Sequence, residues 1–156
     1  MTTHKPIAIF DIDGTCADIE HRKHFIEGKK QDWKSFNESA RVDPPIKPTI
    51  VILMTLIHSG AFDIQFWTGR NEQYKPILLT WLSEQTGLPE SFFKPKIKMR
   101  SDYDHRSDFI VKEEWLLSMS EQDRQRLLMV FEDRDQVVKM WRSHGVQCYQ
   151  VAEGNY

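Results

Sequence analysis

Cysteine is scarce: Cys16 and Cys148 are the only two in a chain of 156 residues. Their separation fits no disulfide framework, zinc site or redox pair, so two reduced thiols are expected, with Cys148 in a buried strand. Basic charge is not in excess either. Lysine and arginine number 21 against 23 aspartates and glutamates, a formal net charge of −2. Strong non-specific nucleic-acid binding ordinarily goes with a basic chain, so the balance argues against a passive module held by phosphate contacts alone. No apolar run approaches the roughly 20 residues of a membrane span. The opening stretch, MTTHKPIAIFD, lacks an apolar segment of signal-peptide length. A cytoplasmic protein without a membrane partner is therefore expected. No internal repeat or low-complexity tract is visible.

What is present reads as globular. Hydrophobic residues make up 40% of the chain and charged residues 28%, and the length suits one domain over 1–156. Short apolar runs alternate with longer amphipathic stretches. Pro6–Phe10, Phe62–Trp67, Lys96–Met99, Leu127–Glu132 and Val146–Val151 read as five strands. Helical patterns lie between them: Lys47–Ser59 stopped by Gly60, Glu72–Thr86 stopped by Gly87, Phe109–Ser118, and Asp135–His144 stopped by Gly145. Strands that alternate with helices need crossover connections, which predicts an α/β three-layer, doubly wound parallel sheet. Residues 17–46 break the alternation. They carry His21, Arg22, Trp33 and Phe36 and end in Asp43-Pro44-Pro45, so a small helical, cap-like insertion of about two short helices is expected after the first strand. In such a sheet, that places it above the strand ends where ligands bind.

Four groups of residues point to chemistry. Asp11-Ile12-Asp13-Gly14-Thr15 follows the first strand. Two carboxylates that turn toward one pocket repel each other and either share a proton or share a cation; hard oxygen donors favour Mg²⁺. Glu132-Asp133 ends the fourth strand, which the order 3-2-1-4-5 makes a neighbour of the first. Asp11, Asp13 and Asp133 then converge as a candidate metal set, with Glu132 beside them. Thr68-Gly69-Arg70 ends the second strand and offers a hydroxyl, a close backbone approach and a guanidinium to phosphoryl oxygens. Asp108 and Lys112 are four apart and share a helix face, placing a cation where it reaches the carboxylates. Each group also has a bland reading: an acidic turn, a helix cap, an incidental turn and an exposed ion pair. Trp33, Phe36 and Tyr103 are expected to be core residues sooner than base-stacking ones. Met140 and Trp141 are also read as core. The histidines form no recognisable ligand set, though His21 and Arg22 are placed to face the pocket.

In this order the four groups resemble the haloacid dehalogenase (HAD) superfamily of phosphohydrolases, across nearly the whole chain. Glu132 stands where many members have Asp. A closer similarity is to the 3′-phosphatase domain of phage T4-type polynucleotide kinase. It is carried by Trp67-Thr68-Gly69-Arg70, by Asp104 to Asp108 with Val111-Lys112-Glu113-Glu114, by Asp133-Arg134 with Met140-Trp141-Arg142, and by Gly145 to Cys148. Arg22, eleven residues after Asp11, matches the spacing of a functional arginine there. The kinase half is not found: no GxxxxGK[ST] loop occurs, and Gly28-Lys29-Lys30 has neither the spacing nor the hydroxyl.

The resemblance implies an Mg²⁺-dependent phosphomonoester hydrolase that works through an aspartyl-phosphate on Asp11. Asp13 would serve as general acid and base. Thr68 and Lys112 would hold phosphate oxygens and the nucleophile, with Asp108 orienting Lys112. Arg22, Gly69 and Arg70 would meet substrate. Mg²⁺ would sit on Asp11, the backbone carbonyl of Asp13 and Asp133. The substrate implied is a 3′-phosphorylated DNA or RNA end, with a separate kinase or ligase as partner. Free nucleoside monophosphates are the alternative. A non-catalytic or phosphoacceptor domain is the alternative from another class, but receiver domains carry their aspartate after the third strand, where this chain has Lys98-Met99-Arg100.

Overall fold

Strand β1 (Ile7–Phe10) is buried at every position. Its side chains alternate between two cores, Ala8 and Phe10 in one and Ile7 and Ile9 in the other. A continuous apolar run is what a central strand covered on both faces requires. The structure, a computed structural model, describes residues 4–156. After β1 come a 3₁₀ stretch at Glu20–Phe25, helix α1 (Trp33–Glu38) and a second 3₁₀ stretch at Ser39–Val42. Then follow α2 (Lys47–Ser59), β2 (Asp63–Asn71), α3 (Lys75–Thr86), α4 (Glu90–Phe93) and β3 (Ile97–Arg100). The remainder is α5 (Asp108–Leu117), α6 (Glu121–Arg126), β4 (Leu127–Glu132), α7 (Asp135–Ser143) and β5 (Cys148–Gln150).

The five strands form one sheet of order β3-β2-β1-β4-β5, and every pairing is parallel. β1 lies between β2 and β4, with Phe10 in register with both Phe66 and Phe131. The Phe10 and Phe131 rings stack at 4.5 Å. One core holds Phe10, Phe66, Leu53 of α2 and Leu78 and Trp81 of α3; the other holds Trp67, Leu116 of α5 and Val138 and Trp141 of α7. Helices thus cover both faces, giving the three layers expected.

Local differences from the expected elements have local causes. β2 runs on to Asn71, because Asn71 pairs with Arg100 after a register shift beyond Thr68. The following helix therefore starts at Lys75, where Pro76 in its first turn has no N–H to leave unpaired. α6 lacks an apolar stripe; it is anchored by Ser120, whose side chain accepts the Asp123 N–H. Only Cys148–Gln150 of the last apolar stretch enters the ladder on β4. No helix among the described residues is long and apolar enough to cross a membrane.

Candidate active site

The carboxyl ends of β1 and β4 lie side by side, and the acidic residues that follow them meet. Asp11 is pinned as its N–H donates to the Phe131 carbonyl at 3.0 Å. The chain then turns sharply: the Ile12 carbonyl accepts N–H groups from Thr15, Cys16 and Ala17. Gly14 has φ 81°, and a Cβ there would collide with the Asp133 carboxylate, so glycine satisfies both the turn and the approach. Thr15 Oγ1 donates to Asp133 Oδ1 at 3.2 Å. Asp11, Glu132 and Asp133, all buried, each place a carboxylate oxygen within 4.8 Å of the others.

Lys112 reaches this cluster from α5 while almost fully buried. Its Nζ lies 2.7 Å from Asp11, 2.8 Å from Glu132 and 3.2 Å from Asp108. The other oxygen of Glu132 accepts the N–H groups of Asp133 and Arg134. Glu132 is thus occupied by internal partners. Burial, opposed in part by Lys112, pushes Asp11 up from the ordinary carboxylate range, and the charges of Asp133 and Asp108 push the same way. Glu132 is raised by burial and by Asp11. Lys112 is held well above its usual value, because Asp108, Asp11 and Glu132 outweigh the cost of its burial. Four carboxyl groups, Asp11, Glu132, Asp133 and Asp108, outnumber the two cations among them, Lys112 and, at Asp108, Arg100. Hard carboxylate oxygens in that state suit a divalent cation.

A second charged group adjoins the first. The Asp13 carboxylate does not join the acidic triad; it faces Arg22 and Arg70. Arg22 Nη2 lies 2.6 Å from Asp13 Oδ1, and Arg70 Nε reaches the same oxygen at 3.0 Å. Asp43, also buried, accepts from Arg22 at 2.7 Å and from Arg70 at 3.2 Å, and sits 2.8 Å from His21 Nε2. Burial alone would raise Asp13, but Arg70 and Arg22 outweigh it and hold its carboxyl well below the usual range. Arg70 keeps one donor, Nη1, that is buried without a partner.

The chain matches the family model of the polynucleotide kinase PNKP phosphatase domain over residues 5–156. It belongs to that family. As a PNKP-type phosphatase domain of the HAD superfamily, it is a phosphoric monoester hydrolase. The same fold occurs in a chain of the Pnkp1/Rnl/Hen1 complex, with TM-score 0.78, 22% identity and coverage of 100% of this chain and 49% of that one. A chain of the Pnkp1/Rnl/Hen1 RNA repair complex gives TM-score 0.77 and 23% identity over 100% of this chain and 45% of that one. The class C acid phosphatase from Bacillus anthracis with tungstate bound gives TM-score 0.65 and 13% identity over 99% of this chain and 69% of that one. The chain spans about half the length of the first two structures.

In this PNKP-type domain a cleft of about 590 Å³ opens over the strand ends, lined by Asp11, Asp13, Gly69, Arg70 and Asp108 among others. Thr68 lies beneath it, buried, its hydroxyl accepting the Arg70 N–H at 3.3 Å. A Cβ on Gly69 would strike the Asp108 carboxylate, so this glycine lets Asp108 tuck against the end of β2 and stay on Lys112. The aromatic residues divide differently from the core expectation. Phe36 is buried, but Trp33 is 51% and Tyr103 91% exposed. Trp33 lines the cleft. Tyr103 sits in the turn between β3 and α5, which has no apolar layer above it.

Three contributors carried no sequence signal. Asp43, the shared acceptor for two arginines, precedes two prolines and reads only as a turn. Tyr156 follows the last strand in a short polar tail, yet its hydroxyl donates to Asp133 Oδ2 and its carbonyl accepts from Arg134. Burial and the Asp133 charge raise that phenol above its ordinary value. Arg100 ends β3, 3.5 Å from Asp108.

Proposed function

We propose that this domain removes the terminal 3′ phosphate from DNA or RNA ends, through an aspartyl-phosphate on Asp11 and with Mg²⁺ as its metal. The observation that carries the chemistry is the Asp11 carboxylate at the floor of an open cleft, bonded to the buried Lys112, with Asp13 two residues on held by the buried Arg22 and Arg70. The match to a polynucleotide kinase phosphatase family carries the substrate class.

In this scheme Asp11, the backbone carbonyl of Asp13 and Asp133 would hold the metal, with Glu132 behind them on Lys112. Once bound, the cation would supply charge neutralisation for the phosphoryl oxygens. Asp11 Oδ attacks phosphorus, the bond to the leaving oxygen breaks, and water later releases inorganic phosphate from Asp11. Lys112 fixes the orientation of Asp11 through a 2.7 Å contact and adds positive charge beside the equatorial oxygens. Asp108 keeps Lys112 in place. Thr68 and the backbone at Gly69 frame the phosphate from the end of β2. Asp13 is ionised as it stands, which suits taking a proton from the attacking water. Its earlier duty, protonating the leaving oxygen, needs a proton taken first from water in the cleft, once the arginine donors are drawn onto the entering phosphoryl group. The partnerless Nη1 of Arg70 is the first such donor.

The related chains sit in complexes named for Pnkp1, Rnl and Hen1, one described as an RNA repair complex. That supports action on nucleic-acid ends alongside a separate kinase or ligase. The net charge of −2 gives a polymer little electrostatic grip and favours free nucleotides as the second reading. Phosphate release with Mg²⁺ from a short 3′-phosphorylated oligonucleotide, set beside 3′ and 5′ mononucleotides, separates them. The oligonucleotide is expected to have the higher kcat/KM. A clear preference for a mononucleotide would sink the end-processing reading and leave the chemistry standing.

A further inference from the structure

Of the five tryptophans, Trp67, Trp81 and Trp141 are buried, and Trp115 is partly buried with its ring edge-on to Trp67. Trp33 is different: half of it is open to solvent, on the wall of the catalytic cleft. An exposed indole ordinarily moves among rotamers, but this one is held. Its Nε1 donates to Gln31 Oε1 at 3.2 Å, and its ring meets Phe36 in a T-shaped contact at 5.6 Å. Its carbonyl accepts Asn37 Nδ2 at 2.8 Å, and α1, which carries it, is capped by Asp32. A large aromatic surface is thus fixed in place without being covered, which is the condition for binding without a further ordering cost.

The surface is coupled to the reacting groups by direct contact. The Arg22 guanidinium lies 4.1 Å over the other partner of Trp33, the Phe36 ring, and the same guanidinium bonds Asp13 at 2.6 Å. One guanidinium and one phenyl ring thus link the Asp13 carboxylate to the indole. The chain has no basic excess to hold a polyphosphate backbone. Grip on a nucleic-acid end must therefore come from a contact that does not depend on charge, and stacking on an aromatic ring is such a contact.

Resting on the reading of the site as an end-processing phosphatase, we propose that Trp33 is a stacking platform for the nucleobase of the terminal nucleotide. It sets specificity for phosphates that carry a base and is indifferent to which base, since every base presents a π face. Trp33 binds; it takes no part in bond making.

The test compares a 3′-phosphorylated trinucleotide with the same oligomer ending in an abasic 3′-phosphorylated sugar. The unsubstituted domain is expected to prefer the base-bearing end by about tenfold in kcat/KM, the difference lying in KM. Trp33→Ala erases that preference, and Trp33→Phe restores most of it. In the Asp11→Asn protein, which binds without turnover, the base-bearing oligomer quenches tryptophan fluorescence; adding Trp33→Phe removes the quench. A preference that survives in Trp33→Ala overturns the platform and leaves the end-processing reading intact. Equal kcat/KM for both ends in the unsubstituted domain overturns the platform as well. Hydrolysis of a generic aryl phosphate with turnover of neither oligomer overturns the end-processing reading, and the platform with it.

Discussion

Asp11→Asn is expected to abolish phosphate release while the far-ultraviolet circular dichroism stays unchanged, since the amide keeps the shape of a side chain that burial already drives toward neutrality. Asp13→Asn is expected to lose nearly all turnover of ordinary esters and still accept phosphate from an activated aryl ester, whose leaving group needs no proton. Phosphate release from the two ester types checks both. Gly69→Ala tests the packing beneath the site. The added methyl displaces Asp108, hence Lys112, and kcat should fall roughly tenfold to a hundredfold with a smaller change in KM. At this scale the sequence was informative where a carboxylate, glycine or lysine follows a strand end, because such positions converge in any sheet of this order. Asp11, Asp13 and Asp133 are of that kind; Thr68 lies within β2, and Asp108 and Lys112 were legible instead from their spacing on α5. Asp43 and Tyr156 were silent, because their partners are chosen by tertiary folding of irregular segments. Trp33 was misjudged for a physical reason: aromatic rings are usually buried, and nothing in the local pattern shows that α1 leaves this one uncovered.

At the scale of elements, a short one is the most informative. α1 has six residues, too few to be stable alone. Asp32 caps it, accepting the Ser35 N–H at 3.0 Å and the Ser35 hydroxyl at 2.6 Å. Asp32→Ala should loosen the helix locally by removing that cap. Hydrogen exchange of the amides in 33–38 is expected to speed up about fivefold, while exchange in β1 is unaffected. Strands β1, β2 and β4 were legible as apolar runs because the sheet buries both of their faces. α4 and α6 were not legible: one is a single turn, and the other has no apolar stripe to reveal its period.

For the whole molecule, the candidate site exists only when the sheet is complete. Asp11 follows β1, Lys112 lies on α5 and Asp133 follows β4, more than a hundred residues from Asp11. An unfolded chain has no such cluster, so cation binding adds directly to folding stability. Mg²⁺ at about a hundred times its Kd should stabilise the domain by about 2.7 kcal/mol. That corresponds to a rise in Tm of roughly 5–10 °C for a chain of this size. Asp133→Asn should remove the shift. An unchanged Tm in the parent would argue against a resident divalent cation.

β1 is hydrogen-bonded along both edges and enclosed by both cores. The Asp11 carboxylate therefore hangs from the part of the molecule expected to open last. Trp33 sits on a six-residue helix between two 3₁₀ stretches, with few layers around it. The two regions differ in depth, and local opening is expected at the shallower one. In rising denaturant the shallow region is expected to yield first, so that any preference set by Trp33 should fade before hydrolysis does.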